Sequence, residues 1–211
     1  ATGVGNTGAA HPVLLLASAL ERARPGQTIA LVVLADGADA LILRTTAALA
    51  TSSPTVAAQV DGGAPIAYGK YLAWRGLLPV EPPRRPEPAR PSASAAGRAI
   101  DWKFGFVGSE SDDGTVHLPP SPQDAESRPM ADAIGTIVTF TIDRLSYSPS
   151  PPIVFAVVDF DGGGRLPIEL TDVDPGEVAI GGRIELTFRR LFTADGIANY
   201  FWKGRLVREG A

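Results

Sequence analysis

Hydrophobic and polar residues alternate along much of the chain between residues 135 and 207, and this pattern predicts five β-strands. A period of two is typical of a strand with one buried face. In the first strand we expect Val138, Phe140 and Ile142 to point inward. The second run is almost continuously apolar, which predicts a central strand covered on both faces. The runs read GTIVTFTID, IVFAVVDF, RLPIEL, RIELTFRRL and IANYFWKGRLV.

Turn-forming residues separate these runs. Three consecutive glycines follow Asp161 and make positive φ angles accessible, and Asp195 and Gly196 form the last hairpin turn. Five short strands with one apolar face predict a small closed barrel of the OB type at the C-terminus. An open five-stranded sandwich is the alternative architecture.

The first 46 residues show a different pattern, in which a helix precedes two strands. Pro12 opens the apolar stretch HPVLLLASALERA, which predicts a buried helix. TIALVVLA and DALILR then predict two strands around a turn at Asp36 and Gly37. A helix and two strands of about 45 residues bury too little surface to be stable alone. We therefore expect this segment to be part of a larger sheet.

The middle of the chain is predicted to connect these two parts. Residues 47–99 contain a short amphipathic helix in GKYLAWRGLLPV, followed by a spacer rich in proline and arginine that holds two bodies apart. Residues 100–130 predict a hairpin whose strands are WKFGFVG and TVHLPP, and residues 131–211 contain the barrel. The fold class is therefore mainly β with some α.

Composition and charge narrow the class of protein. The 211 residues are 45% hydrophobic, which is enough to form a core. No apolar run is long enough to span a bilayer, so we expect no membrane partner and a cytoplasmic location. A net charge of −4 argues against nucleic acid as the partner. The absence of cysteine excludes disulfides, thiolate nucleophiles and cysteine zinc sites.

The segment GNTGAA, with the apolar helix and LADGADALILR behind it, resembles the C-terminal end of thiolase-superfamily condensing enzymes. The resemblance is greatest to the hydroxymethylglutaryl-CoA synthase and ketoacyl-synthase III branch. It implies that Asn6 is a catalytic residue, whose neutral amide stabilises the charge on a thioester oxygen during a Claisen condensation. Alternatively, Asn6 caps the helix or fills a turn. Because the nucleophilic cysteine and the histidine of that family lie upstream of this motif, we expect the chain alone to be inactive and to be a fragment of a larger enzyme.

The motifs YGKYLAWRGLL, WKFGFVGSESDDGTVHLPP, GTIVTFTIDRL, DFDGGGR and NYFWK resemble acyl-CoA-associated OB-fold proteins that partner or fuse with thiolase-like enzymes. Those proteins carry a rubredoxin-like zinc ribbon with two CxxC knuckles ahead of the barrel. Here SESDDG stands at the first knuckle, and His117 with scattered carboxylates does not supply a tetrahedral ligand set. We therefore expect a degenerate zinc ribbon with no metal, and a half-exposed His117.

The same resemblance implies coenzyme A thioesters as substrates and no covalently bound cofactor. Arg165 and Lys203 are the candidate residues for contact with coenzyme A. The glycines before Arg165 could hold a phosphate through backbone amides, although a tight hairpin is the simpler structure. Asp161 is interpreted as part of this turn, and Asp172 and Asp174 as part of the turn before Pro175, rather than as metal ligands or acid–base groups.

The leading hypothesis is that the chain is the C-terminal part of a fused acyl-CoA condensing enzyme, an acyltransferase whose OB-fold domain helps acyl-CoA binding and assembly. The second is a non-catalytic OB-fold subunit that docks a separate thiolase. The third is a nucleic-acid binder, in which Tyr200 and Trp202 share one strand face and stack on bases. The expected partners are acyl-CoA and either a thiolase-fold protein or a second copy of the chain.

Overall fold

The computed structural model describes residues 3–49, 55–62, 65–81, 84–86, 88–148 and 150–207. These residues divide into two compact units, the first up to residue 62 and the second from residue 65 to residue 207. In the described ranges, no helix combines the length and the apolar content that crossing a bilayer requires. The predicted domain boundaries at 46, 99 and 130 stay predictions, and Pro82 and Pro83 of the spacer lie outside the described residues.

The first unit consists of two helices and one antiparallel hairpin. Its elements are α1 (His11–Leu20), β1 (Thr28–Leu34), β2 (Ala38–Arg44) and α2 (Val56–Asp61). Pro12 lies in the first turn of α1 as expected, and the Thr55 side chain accepts a hydrogen bond from the Ala58 N–H to cap α2.

The expectation that α1 is a buried helix is wrong for this unit. No side chain of α1 is fully buried, and in the described part of the unit only Thr45 is. The reason is geometric, because a two-stranded sheet and two short helices have too little surface to cover each other.

The second unit contains three short helices, a small sheet and a barrel. The helices are α3 (Tyr68–Trp74), α4 (Ala93–Arg98) and α5 (Ile100–Gly105). The small sheet has strand order β4-β3-β5, from β3 (Val107–Glu110), β4 (Val116–His117) and β5 (Glu126–Pro129). The barrel strands are β6 (Gly135–Asp143), β7 (Ile153–Phe160), β8 (Arg165–Leu170), β9 (Arg183–Ala194) and β10 (Ile197–Leu206).

The five barrel strands close in the order β10-β8-β7-β6-β9, which confirms the predicted closed barrel. All neighbours are antiparallel except β10 and β8, which meet in parallel where Gly204 lies opposite Leu170. The core of the unit includes Val154, Ile168 and Ile184, none of which is more than 3% exposed. On β8, Leu166, Ile168 and Leu170 are buried and alternate with more exposed residues, as the period-two pattern of that run predicts.

Two predictions about the strand faces need correction. A β-bulge lies between Ile137 and Thr139, so Ile137 faces the core with 1% exposure, whereas Val138 is only half-buried. The bulge adds one residue and shifts the alternation by one position. β7 pairs with β6 on one side and β8 on the other within the barrel wall, but Phe155 is 41% exposed, so the strand is not covered on both faces as predicted.

The predicted strand WKFGFVG is helical in its first half. α5 continues to Gly105, and Phe106 adopts a left-handed conformation with φ of 48° before β3 begins. The Trp102 and Phe106 rings stack with centroids 4.8 Å apart, and Phe106 has no exposed surface. The burial of both rings against the barrel therefore determines that this segment begins as a helix. The period-two alternation of its residues does not determine its structure.

The described part of the proline and arginine spacer touches the barrel. The Arg85 Nε donates a hydrogen bond of 2.9 Å to the Leu145 carbonyl in the loop between β6 and β7. The predicted amphipathic helix is α3, which ends at Trp74, earlier than Pro79. Gly76, with φ of 69°, lies directly after this helix and reverses the chain.

Candidate functional site

Arg165, predicted to contact coenzyme A, lies at the start of β8 and is engaged with Asp159 of β7. Its Nη2 donates to Asp159 Oδ2 at 2.7 Å, and its Nε donates to the other carboxylate oxygen. This bidentate pairing lowers the pKa of Asp159. Arg183 makes a similar pair with Asp161 and lowers the pKa of that carboxyl as well. Both carboxylates thus serve as partners of arginines around the turn.

The glycine turn between β7 and β8 is shaped by close packing. Gly162, Gly163 and Gly164 have φ of 84°, 108° and 86°. A Cβ on Gly164 would lie 2.8 Å from Leu118 Cδ1, and one on Gly163 would lie 3.0 Å from Val116 Cγ2. The three glycines therefore allow the turn to pack closely against β4 and the loop after it, which explains their presence without a bound phosphate.

Lys203, the other predicted contact to coenzyme A, is only 7% exposed on β10. Its Nζ donates to Glu169 Oε1 of β8 at 2.5 Å. Arg165 and Lys203 therefore lie in separate ion pairs. Either residue would have to leave its carboxylate before it could hold a phosphate.

Asn6, the predicted catalytic residue, lies in the first unit just ahead of α1. Its Oδ1 accepts a hydrogen bond of 2.9 Å from the Gly8 N–H, which is the geometry of a turn. In the described ranges, its Nδ2 group makes no hydrogen bond, so its donors remain free for another acceptor. The arrangement is compatible with both roles considered for Asn6, and the catalytic role stays a prediction.

A hydrogen-bond network joins the loops of the small sheet where the zinc knuckles were expected to be degenerate. Ser109 Oγ donates to Asp124 Oδ2 at 2.6 Å and accepts from the Ser121 N–H at 2.8 Å. Ser111 Oγ and His117 Nε2 lie 2.8 Å apart. Among the residues that the structure describes, no group of three or more His, Asp or Glu side chains is placed to hold a metal. The prediction that the protein binds no zinc stays a prediction.

A row of three aromatic rings in contact connects α5 with the β9–β10 hairpin, and the sequence did not predict it. Phe188 of β9 lies between Phe104 and Tyr200, with centroid distances of 5.9 Å and 5.7 Å. We call these three rings the aromatic ladder. Trp202 packs edge-on to Phe188 at 5.5 Å, as expected for a residue on the same strand face as Tyr200. The contribution of Phe104 was missed because α5 was predicted to be a strand.

Positive charges flank the aromatic ladder. Lys103 Nζ donates to Asn199 Oδ1 at 2.8 Å, so its charge faces a neutral amide. Arg190 lies opposite Tyr200 in the β9–β10 pairing and is exposed. In the part of the chain that the structure describes, Arg190 forms no ion pair. Beside the aromatic ladder, therefore, two cations have no carboxylate partner.

The outer face of β7 and β8 has the opposite character. Phe155 lies opposite Glu169, and Val157 lies opposite Pro167. Arg165 is bound to Asp159, as described above, and Glu169 is bound to Lys203. This face is therefore apolar along its centre, and the cations at its edge are neutralised.

A closed barrel of five strands in this order defines the class of protein domain as an OB fold. Residues 127–189 match the family model described as the ChsH2 C-terminal OB-fold domain. The match runs from β5 into β9. The matched part of the barrel is thus similar to the OB-fold domain of ChsH2.

The comparisons with curated proteins and with solved structures carry less information than the family match. No curated protein matches the sequence. Among solved structures, one named Ltp2-ChsH2(DUF35) aldolase is similar, with 20% identity and a TM-score of 0.41 over 58% of this chain and 98% of that chain. The family match does not include residues 1–126, so the thiolase-like character of the N-terminal segment and the zinc-ribbon character of the small sheet stay predictions.

Proposed function

We propose that this chain belongs to an acyl-CoA-processing assembly, in which its OB-fold domain accompanies a thiolase-fold catalytic body. The observation that carries the proposal is the match of residues 127–189 to the ChsH2 C-terminal OB-fold domain. The stretches YGKYLAWRGLL before the matched residues and NYFWK after them, which resemble acyl-CoA-associated OB-fold proteins, support the same assignment.

The finer proposal is that the assembly condenses two acyl thioesters, with Asn6 at the active site. In a Claisen condensation a carbanion attacks the carbonyl carbon of an acyl thioester, so a carbon–carbon bond forms and negative charge develops on the carbonyl oxygen. The carbon–sulfur bond of that thioester then breaks, and the thiolate leaves. The free Nδ2 donors of Asn6 would stabilise that charge. The nucleophile would come from the thiolase-fold body, since this chain has no cysteine.

An exposed apolar surface on the first unit supports a protein partner for this segment. On one face of the hairpin β1–β2, Ala30 pairs with Ile42, Val32 with Ala40, and Leu34 with Ala38. Val32, Leu34 and Ile42 are 59%, 78% and 71% exposed. Thr28 and Arg44 lie at one end of this face, and the rest of it is apolar. A two-stranded sheet with such an exposed apolar face is unstable in water unless another layer covers it. The thiolase-fold body would supply that layer.

A nucleic-acid role receives less support. A strand of nucleic acid needs a track of free cations along the barrel, together with exposed rings. The cations beside the outer face of β7 and β8 are bound to carboxylates, and the chain carries a net charge of −4.

Co-purification tests the proposal. We expect the chain to co-purify with a thiolase-fold acyl-CoA enzyme encoded beside it or fused to it, and the double variant Val32→Asp and Ile42→Asp to lose this association. The matched control Thr139→Asp and Thr141→Asp places two carboxylates on exposed positions of β6 and should retain it. If both double variants co-purify like the unaltered chain, the hairpin is not the docking surface. If the unaltered chain does not co-purify, the assembly itself is wrong.

A further inference from the structure

The aromatic ladder is solvent-accessible at both ends. Phe104 is 54% exposed and Tyr200 is 42% exposed, and the stacked rings of Phe188 and Tyr200 are inclined by only 18°. Exposed rings that are held in a fixed stack offer a flat surface at little entropic cost, since their side chains are already ordered. Such a surface favours a planar ligand.

The neighbouring cations indicate that the planar ligand also carries phosphate groups. Lys103 is held by Asn199 beside the ladder, and Arg190 projects from the strand position opposite Tyr200. Neither cation has a carboxylate partner in the described ranges. Arginine binds phosphate through a planar pair of N–H donors, and lysine binds it as a point charge.

From these observations we propose that the aromatic ladder, with Lys103 and Arg190, binds a phosphorylated purine nucleotide. The base stacks on the exposed ring of Tyr200, and the two cations hold the phosphates. This assignment rests on the proposed function in one respect, because the adenosine bisphosphate end of coenzyme A is the nucleotide that an acyl-CoA assembly would present. It also moves the contact with coenzyme A away from Arg165 and Lys203, whose charges are already neutralised.

A single-stranded nucleic acid offers the same chemistry as a free nucleotide, since it also combines bases with phosphates. Binding a strand requires cations that continue along the backbone over several nucleotides. Here the arginine and lysine beside β7 and β8 are paired with carboxylates, so they do not extend such a track from Lys103 and Arg190. The geometry therefore favours a single nucleotide with two phosphate groups over a strand.

Calorimetric titration of the whole chain with adenosine 3′,5′-bisphosphate tests this site. We expect binding, and we expect Tyr200→Ala and Arg190→Gln each to weaken it about tenfold, which is about 1.4 kcal/mol. Tyr200→Phe should retain the affinity, because the ring supplies the stacking surface. Arg165→Gln is the matched control and should leave the affinity unchanged. If a variant at Tyr200 does not fold, Lys103→Gln on α5 provides the second measurement and should also weaken binding, because it removes one of the two cations.

Three results would overturn the assignment. The first is no binding of the bisphosphate. The second is a loss of affinity with Arg165→Gln as large as that with Arg190→Gln. The third is an affinity for single-stranded DNA that exceeds that for the bisphosphate and rises with strand length. Because the titration needs no partner protein, a failure here leaves co-purification with a thiolase-fold enzyme intact. Conversely, if the chain does not co-purify with a thiolase-fold enzyme, the proposal of a nucleotide site is unaffected.

Discussion

At the level of single residues, ion pairs and close packing decide which side chains can act on a ligand. Arg165 and Lys203 are plausible coenzyme A ligands in the sequence, yet each has a carboxylate partner in the structure. Asp159 is a cross-strand neighbour of Arg165, and Glu169 is a cross-strand neighbour of Lys203. Only the register of the strands brings each of these pairs together. A sequence pattern identifies strands, but it does not reveal which charges become neighbours across them.

The pairing of Asp161 with Arg183 predicts a loss of stability in acid. The hydrogen bond from Arg183 lowers the pKa of Asp161 from 3.8, so the pair stabilises the fold above that pH and ceases to do so as the pH falls below it. In Asp161→Asn we expect a lower melting temperature than in the unaltered protein at pH 7, and a smaller difference at pH 3. Melting curves monitored by circular dichroism measure both. An unchanged difference between the two pH values would show that the ionised pair does not contribute.

The glycine turn gives a second prediction at this scale. Gly164→Ala combines a positive φ of 86° with a contact of 2.8 Å to Leu118, and it should destabilise the protein by about 1–3 kcal/mol. Gly196→Ala is the matched control, because Gly196 has φ of 75° but an added Cβ there would meet no other atom within 4 Å. Urea unfolding should show the greater loss for Gly164→Ala. Equal losses would mean that backbone conformation alone, and not packing against the small sheet, requires glycine at position 164.

At the level of elements, strands that alternate regularly were predicted well, and elements defined by tertiary contacts were not. β7 and β8 begin and end where their sequence runs do, since turn residues bound them on both sides. The bulge in β6 and the helical start of the WKFGFVG segment depend on contacts far along the chain, and no local pattern signals either one. The aromatic ladder was missed for the same reason.

The packing of Phe106 predicts a large loss of stability when its ring is removed, because this ring holds α5 and the small sheet against the barrel. It is fully buried and contacts the rings of Phe160, Phe201 and Trp202. Phe106→Ala should therefore destabilise the second unit by about 3–5 kcal/mol. Phe104→Ala on the same helix removes a ring that is 54% exposed and should change stability by about 0.5 kcal/mol. Chemical denaturation compares the two, and similar losses would contradict the packing described for Phe106.

At the level of the whole molecule, the two units differ in how completely they bury their apolar residues. The barrel unit has a continuous core from β4 to β9, whereas the first unit leaves most of one face of its hairpin apolar and exposed. The sequence predicted this contrast from the small size of the N-terminal segment, because burial scales with chain length. What covers the hairpin could not be predicted by that argument, and only the resemblance to thiolases suggests it.

The central claim is that this chain works with a thiolase-fold body on acyl-CoA thioesters. The most direct measurement follows the consumption of acetyl-CoA by the chain alone, by the thiolase-fold protein alone, and by the two together. We expect no turnover by the chain alone and a higher rate for the pair than for the thiolase-fold protein alone, with Asn6→Ala lowering the rate of the pair. Turnover by the isolated chain, or a rate that the chain does not change, would contradict the account.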